Sequence, residues 1–327
     1  MKIIIDVMGG DNAPHSNIKG AIDSLKENNI NIILVGPKDI IEEELSTLDY
    51  QKDKVEIIDA KERIENDDEP TQAIRRKKDS SMVVGLNALA DGLGDGFISA
   101  GNTGALLAGS ILIIKRLEDI DRAAITVLYP TIKGMSLLID AGANMDSKPE
   151  YLKQFAIMGY IYTKEVLGKN NPTVGLINVG SEKTKGNILC KETYKLLELE
   201  NINFIGNIEG RDLPFGASDV MVCDGFVGNV VLKVTEGVAE SLFSMLKKEF
   251  TSSTKSKLGA LMLKNELNNL KKMLDYREYG GAPLLGVKKP VVKAHGSSDD
   301  YAIKNAISQL ISYIDKDVIK TIESRLQ

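Results

Sequence analysis

The chain has 327 residues, of which 43% are hydrophobic, and a formal net charge of -5. This hydrophobic content is enough for a buried core and excludes wholesale disorder, and the acidic balance argues against nucleic-acid binding by the whole surface. Two cysteines exclude a disulfide scaffold and fit a reducing cytoplasm, and the longest nearly apolar stretch, residues 105–114, is half of the roughly 20 residues that a membrane span needs.

Strand-like and helix-like segments alternate along the chain. Several apolar runs are continuous rather than alternating with polar residues, which is typical of strands covered on both faces in a parallel sheet. Strands are predicted at residues 3–7, 32–35, 55–58, 96–99, 124–128, 136–140, 174–178, 203–205, 220–223 and 291–294, and helices at 40–48, 72–90, 106–114, 151–167 and 192–199. The sequence therefore predicts one α/β domain over residues 1–327, with a mostly parallel sheet.

Glycine and small polar residues follow six of the predicted strands. The most informative turn is residues 99–105, where Gly101 and Gly104 separate a strand from an apolar helix. Such a turn exposes backbone N–H groups at a helix N-terminus, which favours an anionic ligand. Because ligands bind at the carboxyl ends of the strands in open α/β sheets, we expect the six turns to form one composite site.

Few other residues are candidates for chemistry. The sequence has no P-loop, no dinucleotide fingerprint and no cysteine or histidine pair at metal-ligand spacing. Of two histidines, His295 at a predicted strand end is the better acid–base candidate, and Cys223 in an apolar run is typical of a buried, inert thiol. Lys185, in a glycine-containing loop, either binds phosphate or is solvated. An anion site without a protein nucleophile suits a reaction in which the bound anion is itself the nucleophile.

Residues 237–276 break the alternation. They carry no strand signal, and apolar residues recur at helical spacing on both sides of residues 251–254, which predicts two antiparallel helices inserted as a hairpin. Five lysines and one glutamate lie between Thr251 and Leu274, so this part of an acidic chain is basic. Two interpretations stay open: the helices pack on a partner subunit, or a basic, apolar tip contacts an acidic protein or an anionic membrane.

Seven motifs taken together resemble those of one enzyme family. They are DVMGGDNAP at residues 6–14, SAGNTGA at 99–105, DAGAN at 140–144, NVGSEKTKGN at 178–187, DGFVGN at 224–229, YGGAPLLG at 279–286 and HGSS at 295–298. In this order, over the whole length, they resemble the bacterial phosphate acyltransferases of phospholipid synthesis, also called acyl-acyl-carrier-protein:phosphate transacylases. Val7 and Ser181 are mild departures from the family pattern.

The resemblance implies a fold and a reaction. The fold is a three-layer α/β/α sandwich like that of isocitrate and isopropylmalate dehydrogenases and of phosphotransacetylases, with neither a cofactor nor a metal. The reaction joins inorganic phosphate to the long-chain acyl group of acyl carrier protein, and a glycerol-3-phosphate acyltransferase then uses the acyl phosphate. The resemblance also implies a homodimer in the cytoplasm, associated peripherally with the inner face of the cell membrane.

On this resemblance, three side chains are predicted to take part in the reaction. Lys185 neutralises the phosphate or the developing oxyanion, Asn229 (with Asn144) hydrogen-bonds the thioester oxygen or pantetheine, and His295 assists proton transfer to the leaving thiolate or orients the phosphate. The backbone N–H groups of residues 101–104 hold the phosphate, whereas the carboxylates organise the loops because they would repel it.

Two further groups complete the predicted site. The residues expected to bind substrate are Asp6, Gly9, Gly10, Asp11, Ser99, Gly101, Asn102, Thr103, Gly104, Asn144 and Asp224. The residues expected to contact lipid or carrier protein are Lys255, Lys257, Leu258, Leu261, Met262, Leu263 and Lys264.

Two other classes of function compete with this one. A short-chain phosphotransacetylase acting on acyl-coenzyme A would not need the basic, apolar hairpin. A non-catalytic, membrane-associated scaffold for lipid enzymes would not need polar turns after six strands.

Overall fold

The structure, a computed structural model, describes residues 1–273 and 275–326. Its strands are β1 (Lys2–Asp6), β2 (Asn31–Gly36), β3 (Val55–Asp59), β4 (Gly96–Ser99), β5 (Ala124–Thr131), β6 (Gly134–Ile139), β7 (Thr173–Asn178), β8 (Asn203–Glu209), β9 (Val220–Val222), β10 (Gly281–Leu285) and β11 (Val291–Ala294). Its helices are α1 (His15–Glu27), α2 (Lys38–Ser46), α3 (Pro70–Arg76), α4 (Ser81–Ala90), α5 (Thr103–Gly109), α6 (Pro149–Glu165), α7 (Ile188–Leu197), α8 (Gly225–Phe250), α9 (Thr254–Met262), α10 (Lys264–Met273), α11 (Asp300–Asp315) and α12 (Val318–Leu326).

One twisted sheet runs through the molecule. In the described ranges its eleven strands follow the order β3-β2-β1-β4-β11-β10-β5-β6-β9-β7-β8. Most neighbours are parallel, as predicted, but β10 is antiparallel to both β11 and β5, and β5 is antiparallel to β6. The sequence analysis did not predict β10, because its glycine and proline are poor strand formers.

Helices cover both faces of the sheet, which confirms the three-layer α/β/α sandwich. In β1, Ile3 and Ile5 point into one buried cluster, and Ile4, between them, points into the other. The first cluster contains residues of α1, α6, α11 and α12, and the second contains residues of α3, α4 and α5. Because successive side chains of a strand point to opposite faces, a strand buried on both faces gives the continuous apolar run seen in the sequence.

Two predicted helices differ from the observed ones. The helix predicted at residues 72–90 is two helices, because α3 ends at Arg76 and the Ser80 side chain accepts a hydrogen bond from the Val83 amide to begin α4. The apolar helix predicted at residues 106–114 begins earlier, at Thr103, and continues after α5 as one π-helical turn, Ser110–Ile114. Both differences arise at turns and caps, which apolar periodicity does not report.

The region predicted as a helical hairpin also differs. Helix α8 begins at Gly225, directly after β9, and runs unbroken to Phe250, so the predicted start at Gly237 is not a boundary. The second predicted helix is two short ones, α9 and α10, which meet at Leu263, and Leu274 lies outside the described residues. We refer to residues 225–273 as the arm. In the described residues, no helix is long and apolar enough to cross a bilayer.

Candidate active site

Three of the glycine-containing turns meet because β1, β4 and β11 are parallel neighbours in the sheet. A Cβ atom at Gly9 would lie 2.6 Å from the amide nitrogen of Gly101, and one at Gly10 would lie 2.9 Å from the carbonyl oxygen of Gly296. The amide of Asp11 donates a hydrogen bond to the same Gly296 carbonyl at 2.8 Å. We refer to these three turns as the glycine cradle, since only glycine permits such an approach of backbones.

A buried carboxylate holds the glycine cradle together. The carboxylate of Asp6 accepts hydrogen bonds from the hydroxyls of Ser81 and Ser99, each at 2.5 Å, and from the Met8 amide at 3.2 Å. The Ser99 hydroxyl in turn accepts from the Gly101 amide at 3.0 Å. Burial raises the pKa of the Asp6 carboxyl. Asp6 and Ser99 therefore use their side chains to shape the turn.

The side chain of Asn102 likewise forms hydrogen bonds with the surrounding backbone. Its Oδ1 accepts a hydrogen bond from the Ala105 amide at 2.9 Å and so caps α5, and its Nδ2 donates to the carbonyls of Glu65 and Asn66 at 3.2 and 3.1 Å. A Cβ at Gly104 would lie 2.7 Å from the Pro70 side chain, so α5 packs closely on the first residue of α3.

A second group of turns follows β6 and β9. The buried carboxylate of Asp140 accepts hydrogen bonds from the amides of Ile125 and Asn144, at 3.1 and 2.7 Å. The Asn144 side chain donates to the Ala123 carbonyl at 2.8 Å and to Asp140 at 2.9 Å. Asp224 caps α8 by accepting from the Val227 amide. These contacts fix the N-terminus of α8, on whose first turns Asn229 lies.

The two groups of turns do not lie at one edge of the sheet, although the six turns were expected to form one composite site at the carboxyl ends of the strands. The pairs β11–β10, β10–β5 and β5–β6 are each antiparallel, and three successive reversals make β6 and β9 run opposite to β1, β4 and β11. Both groups nevertheless border one cavity, which lies along β5 and beneath α8. The site is therefore built across a face of the sheet rather than along its edge.

The cavity has a volume of about 440 Å³. Its polar lining residues are Thr103, Tyr129, Asn229, Lys233, Thr235, Glu236, Tyr279, Lys293 and His295. Its apolar lining includes Ile125, Val127 and Leu128 of β5 with Leu232 and Ala239 of α8. A cavity lined by both polar and apolar side chains fits a ligand with a reactive head and a hydrocarbon chain.

The His295 ring belongs to this lining. Its Nδ1 lies 2.9 Å from the Ser297 hydroxyl and accepts a hydrogen bond from the Ser297 amide at 3.3 Å. Burial lowers the pKa of His295, so the ring is neutral at pH 7. A neutral ring that accepts at Nδ1 carries its proton on Nε2, which makes Nε2 a donor.

Lys293 was not among the site residues predicted from the sequence. This lysine lies on β11, two residues before His295, and burial lowers its pKa to about 8. The sequence did contain an indication of its role, because Lys293 is the one charged residue in the otherwise apolar strand Val291–Ala294. Lys185, which the sequence analysis favoured, is exposed on the loop after β7 and is not among the residues that line the cavity.

Residues 1–321 match the family model described as fatty acid synthesis protein. A phosphate acyltransferase from Alkaliphilus oremlandii is 53% identical over 98% of this chain and 96% of the relative. A phosphate acyltransferase from Clostridium acetobutylicum is 51% identical over 100% of this chain and 99% of the relative.

Solved structures show the same fold at low sequence identity. A phosphotransacetylase from Streptococcus pyogenes has a TM-score of 0.64 at 16% identity and covers 96% of this chain and 94% of its own. A phosphotransacetylase from Staphylococcus aureus has a TM-score of 0.62 at 15% identity, covering 97% and 94%. These likenesses confirm the fold expected from the sequence.

Proposed function

The chain belongs to the fatty acid synthesis protein family and is an acyltransferase that uses phosphate, and from this premise we propose that it transfers a long-chain acyl group from acyl carrier protein to inorganic phosphate. The products are an acyl phosphate and the free carrier thiol. The single observation that carries the choice of a long chain is the cavity, because residues of β5 and α8 give it apolar walls in addition to its polar residues.

The reaction needs no protein nucleophile. An oxygen of the phosphate dianion attacks the thioester carbonyl carbon, a C–O bond forms, and the C–S bond breaks with its electron pair leaving on sulfur. The proton that the dianion carried ends on the thiolate, so the products balance. The protein contributes positioning and electrostatic stabilisation of the charge that develops on the carbonyl oxygen.

Two side chains that line the cavity have the chemistry for this step. Asn229 donates a hydrogen bond to the thioester oxygen, a role for which the engaged side chain of Asn144 is less suited. His295 presents Nε2–H as a donor and relays the proton to the leaving thiolate.

The glycine cradle and the helix that follows it, α5, are proposed to bind phosphate. The first amides of a helix have no acceptor within the helix, and Asn102 uses its side-chain oxygen on the Ala105 amide alone. The amides near Thr103 and Gly104 then face the anion, and Asp6, Asp11 and Asp224 hold the turns in place. Lys185 is proposed to act only if its loop approaches the cavity when substrate binds.

The test is a thiol-release assay with and without phosphate. Long-chain acyl thioesters of acyl carrier protein and of coenzyme A, and acetyl-coenzyme A, serve as donors. Phosphate-dependent release from the carrier thioester supports the proposal. Faster release from acetyl-coenzyme A would favour a short-chain phosphotransacetylase, and release from none of the donors would favour a scaffold.

The arm is proposed to carry the contacts with lipid or carrier protein. In α9 and its junction with α10, Leu258, Leu261 and Met262 are exposed, and Leu263 is 49% exposed. The exposed lysines Lys255, Lys257 and Lys264 surround them. A basic, apolar tip of this kind suits an anionic membrane or the acidic carrier protein, which supports the proposal that the enzyme associates peripherally with the inner face of the cell membrane.

A homodimer is proposed from the arm as well. Along α8, five apolar side chains at spacings of four and three are between 46% and 59% exposed, and they are Val230, Val234, Val238, Leu242 and Met245. We refer to them as the apolar stripe. A continuous stripe on one face of a helix is typical of a surface that packs on another such surface, and a second copy of this chain supplies a matching one.

The acyl phosphate is proposed to pass to a glycerol-3-phosphate acyltransferase, which acts downstream in the proposed pathway.

A further inference from the structure

Lys293 is a lysine in the middle of a sheet. Its neighbours on β11, Val291, Val292 and Ala294, are fully buried, and in the strand register Lys293 lies beside Ser99 of β4 and Ala282 of β10. A lysine is rarely placed among buried strands, because removing its charge from water costs free energy, whereas burying a hydrophobic side chain does not. Packing alone therefore does not explain a lysine at position 293.

The ammonium group is held at the glycine cradle. Its Nζ donates hydrogen bonds to the carbonyl of Ala100, at 3.1 Å, and to the carbonyl of Ala294. Ala100 directly precedes Gly101, so the lysine is fixed to the turn that begins α5. An ammonium has three donors, and two carbonyls leave one for a ligand in the cavity that Lys293 lines.

Within the described residues, no carboxylate oxygen lies within 4 Å of the Lys293 ammonium, whereas Lys233 across the cavity pairs with Glu236 at 2.8 Å. Asp6 and Asp11 are near enough to favour the charge, but the Asp6 carboxylate is occupied by Ser81 and Ser99. A partly buried cation without a carboxylate partner beside it is a site for an anion that comes from outside the chain.

We propose that Lys293 binds inorganic phosphate in the reaction, so that its ammonium, rather than Lys185, offsets the charge of the attacking dianion. This proposal rests on the proposed function. Lys293 keeps its proton throughout: the phosphate oxygen forms the bond to carbon, the C–S bond breaks, and the proton of the dianion goes to the thiolate. The lysine contributes an attraction that brings phosphate into the cavity that Thr103 and His295 also line.

The variants Lys293→Met and Lys293→Gln remove the charge, and Lys293→Arg keeps it. For the two neutral variants we expect kcat/KM for phosphate to fall about 10- to 100-fold, while KM for the acyl thioester changes less than about twofold. Lys288→Met is the matched control, because Lys288 is an exposed lysine just before the same strand, and its kinetics should equal those of wild type. Lys293→Arg should lose less than either neutral variant.

A binding measurement separates this proposal from the proposed function. Added inorganic phosphate should raise the thermal unfolding midpoint of wild type and of Lys288→Met, and should raise that of the neutral Lys293 variants much less. The proposal is overturned if either neutral variant folds and keeps the wild-type KM for phosphate, or if both KM values rise equally. If wild type releases no thiol but shows phosphate protection that depends on Lys293, the proposed function fails and the phosphate site stands.

Discussion

The glycine cradle and the arm differ in how many of their groups are hydrogen-bonded or buried by other residues of the same chain. In the cradle, Asp6, Ser99 and Asn102 use their side chains on neighbouring backbone and hydroxyl groups, and a single added carbon at Gly9 would meet backbone. In the arm, α9 has no buried residue and α8 buries only Gly225 and Gly228 along 26 residues. One region is fixed by internal contacts, and the other leaves several of its apolar side chains exposed.

This difference shows where each region obtains its stability and its role. A site that must aim phosphate at a carbonyl carbon gains from a rigid frame, because small displacements cost much of the rate. A surface that keeps several apolar side chains exposed gains its stabilisation when a partner covers them. Changes in the cradle should therefore alter catalysis, and changes in the arm should alter association.

The largest effect is expected for Gly9→Ala. The new Cβ would lie 2.6 Å from the Gly101 nitrogen and 2.8 Å from an Asp6 carboxylate oxygen, so the turns after β1 and β4 must separate. We expect kcat/KM to fall by about 100-fold, measured by phosphate-dependent thiol release. Gly210→Ala is the control, since a Cβ there meets nothing within 4 Å, and its activity should be unchanged. Full activity in Gly9→Ala would mean that the close contact of these turns is not needed.

The next effect concerns the apolar stripe. Val234→Glu places a carboxylate in its centre and should weaken a dimer by about 100-fold, because apolar burial is lost in both copies. Analytical ultracentrifugation over a range of concentrations measures this change. Leu93→Glu, which alters an exposed leucine in the α4–β4 turn, should leave the association state as it is. An unchanged dimer in Val234→Glu would assign the stripe to another partner.

A smaller effect is expected from pH. Burial lowers the pKa of Lys293 to about 8, and Lys233 on α8 acts in the same direction; together they outweigh Asp6 on β1 and Asp11 on the following loop, which raise it. Lys293 is protonated below that pH and loses its charge above it, so KM for phosphate should rise about 10-fold per pH unit above 8.

The same profile in Lys293→Arg isolates the lysine, because a guanidinium does not titrate in this range and the titration of phosphate itself is common to both proteins. The wild-type KM should rise above that of Lys293→Arg only at alkaline pH. Parallel profiles for the two proteins would show that Lys293 does not control phosphate binding.

The smallest effect concerns the tip. Leu258→Glu removes an exposed leucine and adds a negative charge beside Lys255 and Lys257, so binding to vesicles of anionic lipid should weaken by roughly 10-fold. Wild-type binding should also weaken as salt rises. Leu199→Glu changes another exposed leucine outside the arm and should bind as wild type does. If Leu258→Glu binds vesicles normally, the tip does not face lipid.

Individual residues show which parts of the site can be predicted from sequence. The turn at Ser99 and Gly101 was predicted because glycine after a strand and before an apolar run has a local cause. The roles of Asn102 and Asn144 could not be assigned, since their partners at Glu65, Asn66 and Ala123 are distant in sequence. Lys293 was missed because strand periodicity does not reveal which charged residue faces a cavity.

By itself, the sequence determined the alternation of strands and helices, the glycine turns and the family, because these follow from local propensity and from ordered motifs. Only the tertiary structure decided that β10 and β5 reverse the direction of the sheet, that the turns divide into two groups, and that one cavity along β5 joins them. Strand order and direction depend on pairing between segments far apart in the chain, and no local pattern records that pairing.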